Sequence, residues 1–85
     1  LPPPPSAAAH VAVLEKAAEV YKKKLPCRDQ AAALAPLKLE MAALGDVADP
    51  RLGAVIEADP ALRARRTTAL EAIMDGAMLC PGDAG

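Results

Sequence analysis

The stretch DPRLGAVIEADPAL, residues 49–62, contains the same helix-start signal twice, ten residues apart. In each copy an aspartate precedes a proline, and a leucine follows two residues later. Aspartate is a favoured N-cap, and proline is favoured at the first helical position because its missing N–H is not needed there. The stretch therefore predicts two helices, over 50–57 and 60–75, and Gly53 weakens the first of them.

The longer of these two helices is predicted to end at Gly76, because glycine is favoured just after a helix C-terminus. Its predicted buried face consists of Leu62, Ala69, Leu70, Ile73 and Met74. The remaining surface carries three cations: Arg63, Arg65 and Arg66. We expect Glu57 and Asp59 to neutralise these arginines, in preference to a bound phosphate.

Two further helices precede this stretch. Ser6 is a good N-cap for a helix over 7–25, which Pro26 terminates. Its apolar seam has helical spacing and comprises Val11, Leu14, Ala18, Tyr21 and Leu25, while Lys22, Lys23 and Lys24 form a solvated C-terminal end that complements the helix dipole. Asp29 is the predicted N-cap of the next helix, over 30–44, with Gly45 just after its C-terminus.

The helix over 30–44 is unusually apolar. Eleven of the fourteen residues from 31 to 44 are Ala, Leu or Met. They surround almost the whole helix, so two neighbouring helices cannot cover them all. Pro36 lies in the interior and removes one backbone hydrogen bond, which predicts a kink or a division into two short helices.

Composition supports an all-α fold. The chain has 21 alanines and 11 leucines, one tyrosine, and neither phenylalanine nor tryptophan. Alanine and leucine favour helices, whereas strands favour β-branched and aromatic residues. We predict an extended polyproline arm over 1–6, one helical domain over 7–80 and a flexible tail over 81–85. The domain is a small up-down-up bundle of three main helices plus the short helix over 50–57.

The two cysteines bear on both topology and compartment. In the up-down-up arrangement Cys27 and Cys80 lie at the same end of the bundle and can form a disulfide. If the short helix ran the full length of the bundle, a 15-residue helix of roughly 20 Å would separate them. Small domains use disulfides in oxidising compartments, so we expect an extracytoplasmic or organelle-lumen location after removal of a targeting segment. The alternative is that the two cysteines are unbonded thiols, buried or without a role, in a reducing compartment.

Few residues in the sequence could support catalysis or cofactor binding. The only histidine, His10, lies at the far end of the first helix from Cys27, and there is no CxxC or glycine-rich phosphate-binding motif. The one histidine and two cysteines do not have the spacing of zinc ligands, and there is no CxxCH motif for haem attachment. A net charge of -1 disfavours nucleic acid, and no apolar run is long enough to span a membrane, although peripheral contact stays open. We therefore predict no catalytic, cofactor or metal site, and no enzyme activity.

The function that fits these features is a noncatalytic accessory subunit docked on a larger protein assembly in an oxidising compartment. Small helical subunits of lumenal or periplasmic complexes, such as photosystems, are similar in general style, and no motif assigns this chain to a family. The alternative is a free-standing secreted or periplasmic binding protein, such as an inhibitor, an immunity protein or a carrier of an apolar ligand. The predicted docking residues are Leu1, Pro2, Pro3, Pro4, Pro5, Leu39, Ala42, Ala43, Met78 and Leu79. The competing prediction is that the short helix covers the Leu39 side and completes the core.

Overall fold

The fold consists of four helices in the computed structural model, which describes residues 5–45 and 47–78. They are α1 (Ala7–Lys22), α2 (Cys27–Ala43), α3 (Pro50–Ala58) and α4 (Pro60–Ala77). The described residues contain no strand, so the predicted all-α class is confirmed. The predicted tail and residues 1–4 of the predicted arm lie outside the described part. Pro5 is described and is buried, so at this residue the chain already packs on the domain.

Three helix starts follow the predicted capping chemistry. The Ser6 hydroxyl accepts a hydrogen bond from the Ala9 N–H at 3.3 Å. Asp49 accepts from the Arg51 N–H at 2.8 Å, and Asp59 accepts from the N–H groups of the first turn of α4 at 3.0 and 3.2 Å. Each side chain satisfies backbone donors that have no partner within the helix. The repeated Asp-Pro signal is therefore confirmed as two helix starts.

The end of α1 differs from the prediction. The helix ends at Lys22, not at residue 25, and Lys24 adopts a left-handed conformation with φ of 53°. The cause is Pro26, which excludes the residue before it from helical geometry and so forces the chain to leave the helix early. The end of α2 follows the prediction, because Gly45 lies just beyond the C-cap with φ of 111°.

The start of α2 also differs from the prediction. The helix begins at Cys27, with Pro26 in the N-cap position, and Asp29 lies inside the first turn, where its charge complements the helix dipole. α2 continues through Pro36 as one helix, so the predicted division into two is wrong. Pro36 and Ala32 are both exposed, and water can therefore reach the carbonyl group that the proline leaves without its donor.

Gly76 does not end α4. The helix continues to Ala77, and Gly76 is buried inside it against Tyr21 of α1. A Cβ atom at this position would lie 2.5 Å from Tyr21 Cδ1 and 2.6 Å from Tyr21 Cβ, which is closer than non-bonded carbon atoms approach. The glycine therefore allows the two helices to pack closely around the only aromatic ring of the chain.

The contacts between the helices give their directions. Glu15 meets Arg65, and six residues further along α1, Tyr21 meets Gly76, so α1 and α4 run in the same direction. α2 returns antiparallel to α1 after a short turn, and Lys16 pairs with Glu40 along it. In consequence, α2 begins and α4 ends at the same end of the molecule.

The helices do not close into a compact bundle. α1 packs against the other three helices, but within the described chain α2 packs against α1 alone. The central cluster of buried apolar residues comprises Ala7, Val11, Leu52 and Ile56, with Leu62 against it, where α1, α3 and α4 meet. The molecule is accordingly flattened, with dimensions of 39 × 25 × 16 Å.

Candidate functional site

Ion pairs cross from α1 to both α2 and α4. Lys16 Nζ lies 3.0 Å from Glu40 Oε1 of α2, and Arg65 of α4 binds both carboxylate oxygens of Glu15, at 2.5 and 3.1 Å. Glu15 and Lys16 are neighbours in α1 and point about 100° apart, Glu15 towards α4 and Lys16 towards α2. We call the surface formed by Glu15, Lys16, Glu40 and Arg65 the charged face.

The Glu15 carboxylate is held in its ionised form. The Arg65 hydrogen bonds lower the pKa of Glu15, and the same contact raises the pKa of Arg65. A shallow depression of about 270 Å³ beside this pair is lined by Glu15, Ala18, Glu19, Lys22, Ala64, Arg65, Thr68 and Ala69. The charged residues of this depression are paired with one another, Glu15 with Arg65 and Glu19 with Lys22.

The other arginines of α4 are paired as well. Arg66 lies 2.6 Å from Glu57, and Arg63 lies 4.0 Å from the same carboxylate. The expected neutralisation by acidic residues is therefore observed, although Arg65 uses Glu15 of α1 and not a neighbour in sequence. The pairing of two arginines with one carboxylate leaves an excess of positive charge at this position.

α2 and α4 each carry exposed apolar residues opposite the residue that forms the ion pair with α1. An α-helix turns by 100° per residue, so positions nine residues apart point in opposite directions. Ala31 is nine residues from Glu40, and Met74 is nine residues from Arg65. Helical spacing extends these positions into an exposed stripe on α2, with Ala31, Ala35 and Ala42, and a separate exposed stripe on α4, with Leu70 and Met74.

Leu70 and Met74 correct the predicted burial of α4. Both were expected in the core, but Leu70 is 38% exposed and Met74 is 66% exposed. The predicted burial of Ala69 is confirmed, and Gly76 is buried as well; these two residues are seven positions apart and therefore on one face. The close approach to Tyr21 selects this register, because only small residues fit against it. The seven-residue spacing of small residues is the sequence signal that could have identified the packed face.

Leu39 and its neighbours on α2 are exposed, as the docking prediction requires. Leu39 is 73% exposed, and Ala42 and Ala43 are also exposed. The competing prediction is wrong, because the short helix α3 packs on α1 and α4 and does not cover this side of α2. In the free chain, therefore, the described helices leave Leu39 in contact with solvent.

The remaining predicted docking residues divide between the two ends of the molecule. Pro5 lies next to Gly45, at the end of α2 that carries Ala42 and Ala43; a Cβ at Gly45 would be 3.8 Å from the proline ring. Met78 is 82% exposed at the other end, where α4 finishes. The described residues of the predicted patch thus lie at both ends of the molecule. Leu1, Pro2, Pro3, Pro4 and Leu79 lie outside the described residues.

His10 lies beside Arg66 at the junction of α1 and α4. Burial and the neighbouring Arg66 charge lower the pKa of His10, so the neutral ring is favoured. His10 Nδ1 and Arg66 Nε are both buried without a hydrogen-bond partner. A catalytic histidine is usually oriented by a carboxylate, whereas the charged neighbour of His10 is the cation Arg66.

Other classes of site find no support in the described chain. Residues 5–45 and 47–78 contain no group of three or more metal-ligating side chains. None of the described helices is both long enough and apolar enough to cross a membrane. Cys80 lies outside the described residues, so its bond with Cys27 stays a prediction. Comparison with protein-family models, with curated proteins and with solved structures finds no match to this chain.

Proposed function

We propose that this chain is a noncatalytic accessory subunit that docks on a larger protein assembly through apolar side chains of α2 and α4. The observation that carries the proposal is the open packing of the helices: α2 packs only on α1, and Leu39, Met74 and Met78 are largely exposed. Helical domains bury their apolar surfaces between packed layers, and a large exposed apolar patch on a soluble domain usually marks a partner site.

Burial of these side chains contributes favourable free energy to docking. Complete burial of a side chain the size of Leu or Met contributes about 1.5–3 kcal/mol. Three such residues therefore offer several kcal/mol towards binding, before the entropic cost of association is subtracted. The same residues contribute little to the isolated fold because solvent already surrounds them.

We also propose an oxidising compartment, such as an organelle lumen or the periplasm. The packing of Tyr21 on Gly76 supports this proposal, because it holds the last turn of α4 near the end of α1 from which α2 begins. Cys27 is the first residue of α2, and Cys80 follows the last residue of α4 by three positions. The helix directions are thus those required for a Cys27–Cys80 disulfide.

The test is a double substitution, Leu39→Glu with Ala43→Glu, in a tagged chain isolated from the cells that make it. Native mass spectrometry is expected to find the unmodified chain in a stoichiometric complex and the variant as a monomer. The free energy of unfolding of the variant should stay within about 0.5 kcal/mol of that of the unmodified chain, as is usual for surface substitutions.

Ala64→Glu is the matched control, because Ala64 is an exposed alanine beside the charged face. It introduces one charge of the same sign and should leave the complex intact. A monomeric unmodified chain with a bound lipid would contradict the proposal and favour the alternative function, a carrier of an apolar ligand. Unfolding of the double variant would show that Leu39 and Ala43 belong to the core.

A further inference from the structure

His10 lies where α1 meets α3 and α4, and its inner nitrogen has no partner. Ala7 lies one turn before His10 and Val11 directly follows it, and both belong to the central cluster together with Leu52 and Ile56 of α3. His10 is partly buried, and its Nδ1 atom is fully buried without a hydrogen-bond partner. A charge on this ring would be added beside apolar side chains, where a charge is costly.

Arg66 of α4 connects this position to α3. It lies beside His10, and its own Nε atom is buried without a hydrogen-bond partner. Its terminal nitrogen donates a hydrogen bond to Glu57 Oε1 of α3 at 2.6 Å. The guanidinium group thus adjoins α1 and also binds α3 through Glu57. A force that moves Arg66 away from His10 therefore acts on the attachment of α3.

The acidic residues of α3 and of the start of α4 are bound to other groups. Asp49 and Glu57 each form an ion pair with an arginine at 2.6 Å. Arg63 also lies 4.0 Å from Glu57. Asp59 accepts hydrogen bonds from backbone N–H groups in the first turn of α4. Each of these carboxylates thus has a partner other than His10.

The other acidic residues of the described helices lie farther from His10. Glu15, the nearest one along α1, points about 140° away, because an α-helix turns by 100° per residue. Glu40 of α2 binds α1 at a position six residues, or about 9 Å, beyond His10. Glu71 and Asp75 of α4 lie at least five residues, or about 8 Å, beyond the arginine that adjoins His10. Within the described chain, a protonated His10 therefore lies beside a cation, near the positive end of the α1 dipole, and lacks a carboxylate of its own.

We infer that the contact between His10 and Arg66 is a pH switch for the attachment of α3: a proton on His10 places two cations side by side, and their repulsion separates α3 from α1 and α4. α3 is the element that yields, because within the described chain it packs only on α1 and α4 and is nine residues long. A helix this short is not stable in water without its packing contacts. The switch is independent of the proposed docking function.

The direction of the switch follows from proton binding. Burial and the Arg66 charge lower the pKa of His10 in the closed structure. Once α3 has separated, water surrounds the ring and its pKa returns towards the ordinary value of about 6.5. The open form therefore binds more protons below this pH, and acid raises its population relative to the closed form. One pH unit below 6.5, the increase is at most about tenfold.

Amide hydrogen exchange of the full chain at about pH 7.5 and about pH 5.5 tests the switch. The protection factors of the α3 amides, corrected for the intrinsic pH dependence of exchange, are expected to fall several-fold, and at most about tenfold, at the lower pH. The α2 amides are the internal reference, because among the described helices α2 packs only on α1 and can open without exposing His10. Their protection should change less than about twofold. An NMR titration of the His10 ring should give a pKa below 6.5.

Substitutions locate the switch. His10→Gln should abolish the pH dependence of α3 protection, because the group that binds the proton is removed. Arg66→Gln should lessen it, because the repelling cation is removed while the burial of the ring remains. Arg63→Gln is the matched control: it removes the same charge near the same Glu57, from an arginine that does not shift the pKa of His10, and it should leave the fall in protection unchanged.

Four results would overturn the inference. The first is a protection of α3 that changes less than about twofold between the two pH values. The second is an equal fall in the unmodified chain and in His10→Gln, and the third is an equal effect of Arg63→Gln and Arg66→Gln. The fourth is a free energy of opening of the α3 amides that equals the free energy of global unfolding in urea, which would show that α3 does not separate on its own.

Discussion

Replacement of Gly76 with alanine tests the close packing of α1 against α4. Three atoms of Tyr21 would lie 2.5–2.8 Å from the new Cβ, and one of them is the Tyr21 Cβ at 2.6 Å, which no rotamer change can move. The helices must therefore separate. Overpacking of this kind costs about 1–3 kcal/mol. Alanine regains about 1 kcal/mol of helix propensity, so the net loss of stability is up to about 2 kcal/mol.

Urea and thermal unfolding followed by circular dichroism would measure this change. A loss of 1 kcal/mol lowers the melting temperature of a domain this small by about 4–8 °C. Gly53→Ala is the matched control, because a Cβ at Gly53 meets no atom within 4 Å. It should stabilise the chain by about 0.5–1 kcal/mol. The reasoning fails if Gly76→Ala stabilises the chain as Gly53→Ala does.

A double variant shows whether Tyr21 causes the loss. Tyr21→Ala removes the ring contacts at 2.5 and 2.8 Å but keeps the Cβ contact at 2.6 Å. In this background the effect of Gly76→Ala should decrease without disappearing, which a double-mutant cycle reports as a coupling energy. Strict additivity of the two substitutions would show that the tyrosine is not the cause.

Three further predictions follow from other parts of the chain. Lys24→Gly should raise the free energy of unfolding by about 1 kcal/mol in urea titrations, since Lys24 has φ of 53° and left-handed geometry costs about that much for residues other than glycine. A reducing agent should lower the melting temperature, because a Cys27–Cys80 bond closes a loop of about 54 residues and stabilises the fold by on the order of 4 kcal/mol. A mass of the non-reduced protein that corresponds to two free thiols would contradict this prediction. The pKa of His10 is lowered in the fold, so the free energy of unfolding should fall as the pH drops below 6.5, until the pH is below the folded pKa as well. His10→Gln should remove this part of the pH dependence. An unchanged pH profile in the variant would refute the assignment to His10.

Local signals were sufficient to predict most of the helix boundaries. The caps at Ser6, Asp49 and Asp59 and the glycine after α2 each depend on a few neighbouring residues, and the structure contains them where the sequence indicates. The start of α2 was missed because Asp29 suits both the N-cap and the first helical turn. Pro26, which serves as the N-cap, carries no side-chain acceptor that would identify it.

Features that depend on tertiary contacts could not be predicted in the same way. Gly76 has the sequence signature of a helix end, but it is needed instead for the approach of Tyr21, a residue 55 positions earlier in the chain. That contact rotates α4 so that Met74 faces solvent. The partner of Arg65 was missed for a similar reason, because Glu15 lies in another helix. The exposure of Met74, on which the proposed docking surface of α4 depends, thus follows from a register that the local pattern does not contain.

The restriction of α2 to a single neighbour has a consequence for hydrogen exchange. A helix opens to solvent when the contacts that hold it are lost. α1, α3 and α4 contribute residues to one buried cluster, whereas α2 contributes none to it. α2 can therefore detach as a separate cooperative unit while the other three helices stay folded, and its amides exchange through this partial opening at a lower free energy than global unfolding. A partner bound over α2 would oppose this partial opening. The slower exchange of the α2 amides, converted to a free energy of opening, would then measure the stabilisation that binding gives to the helix.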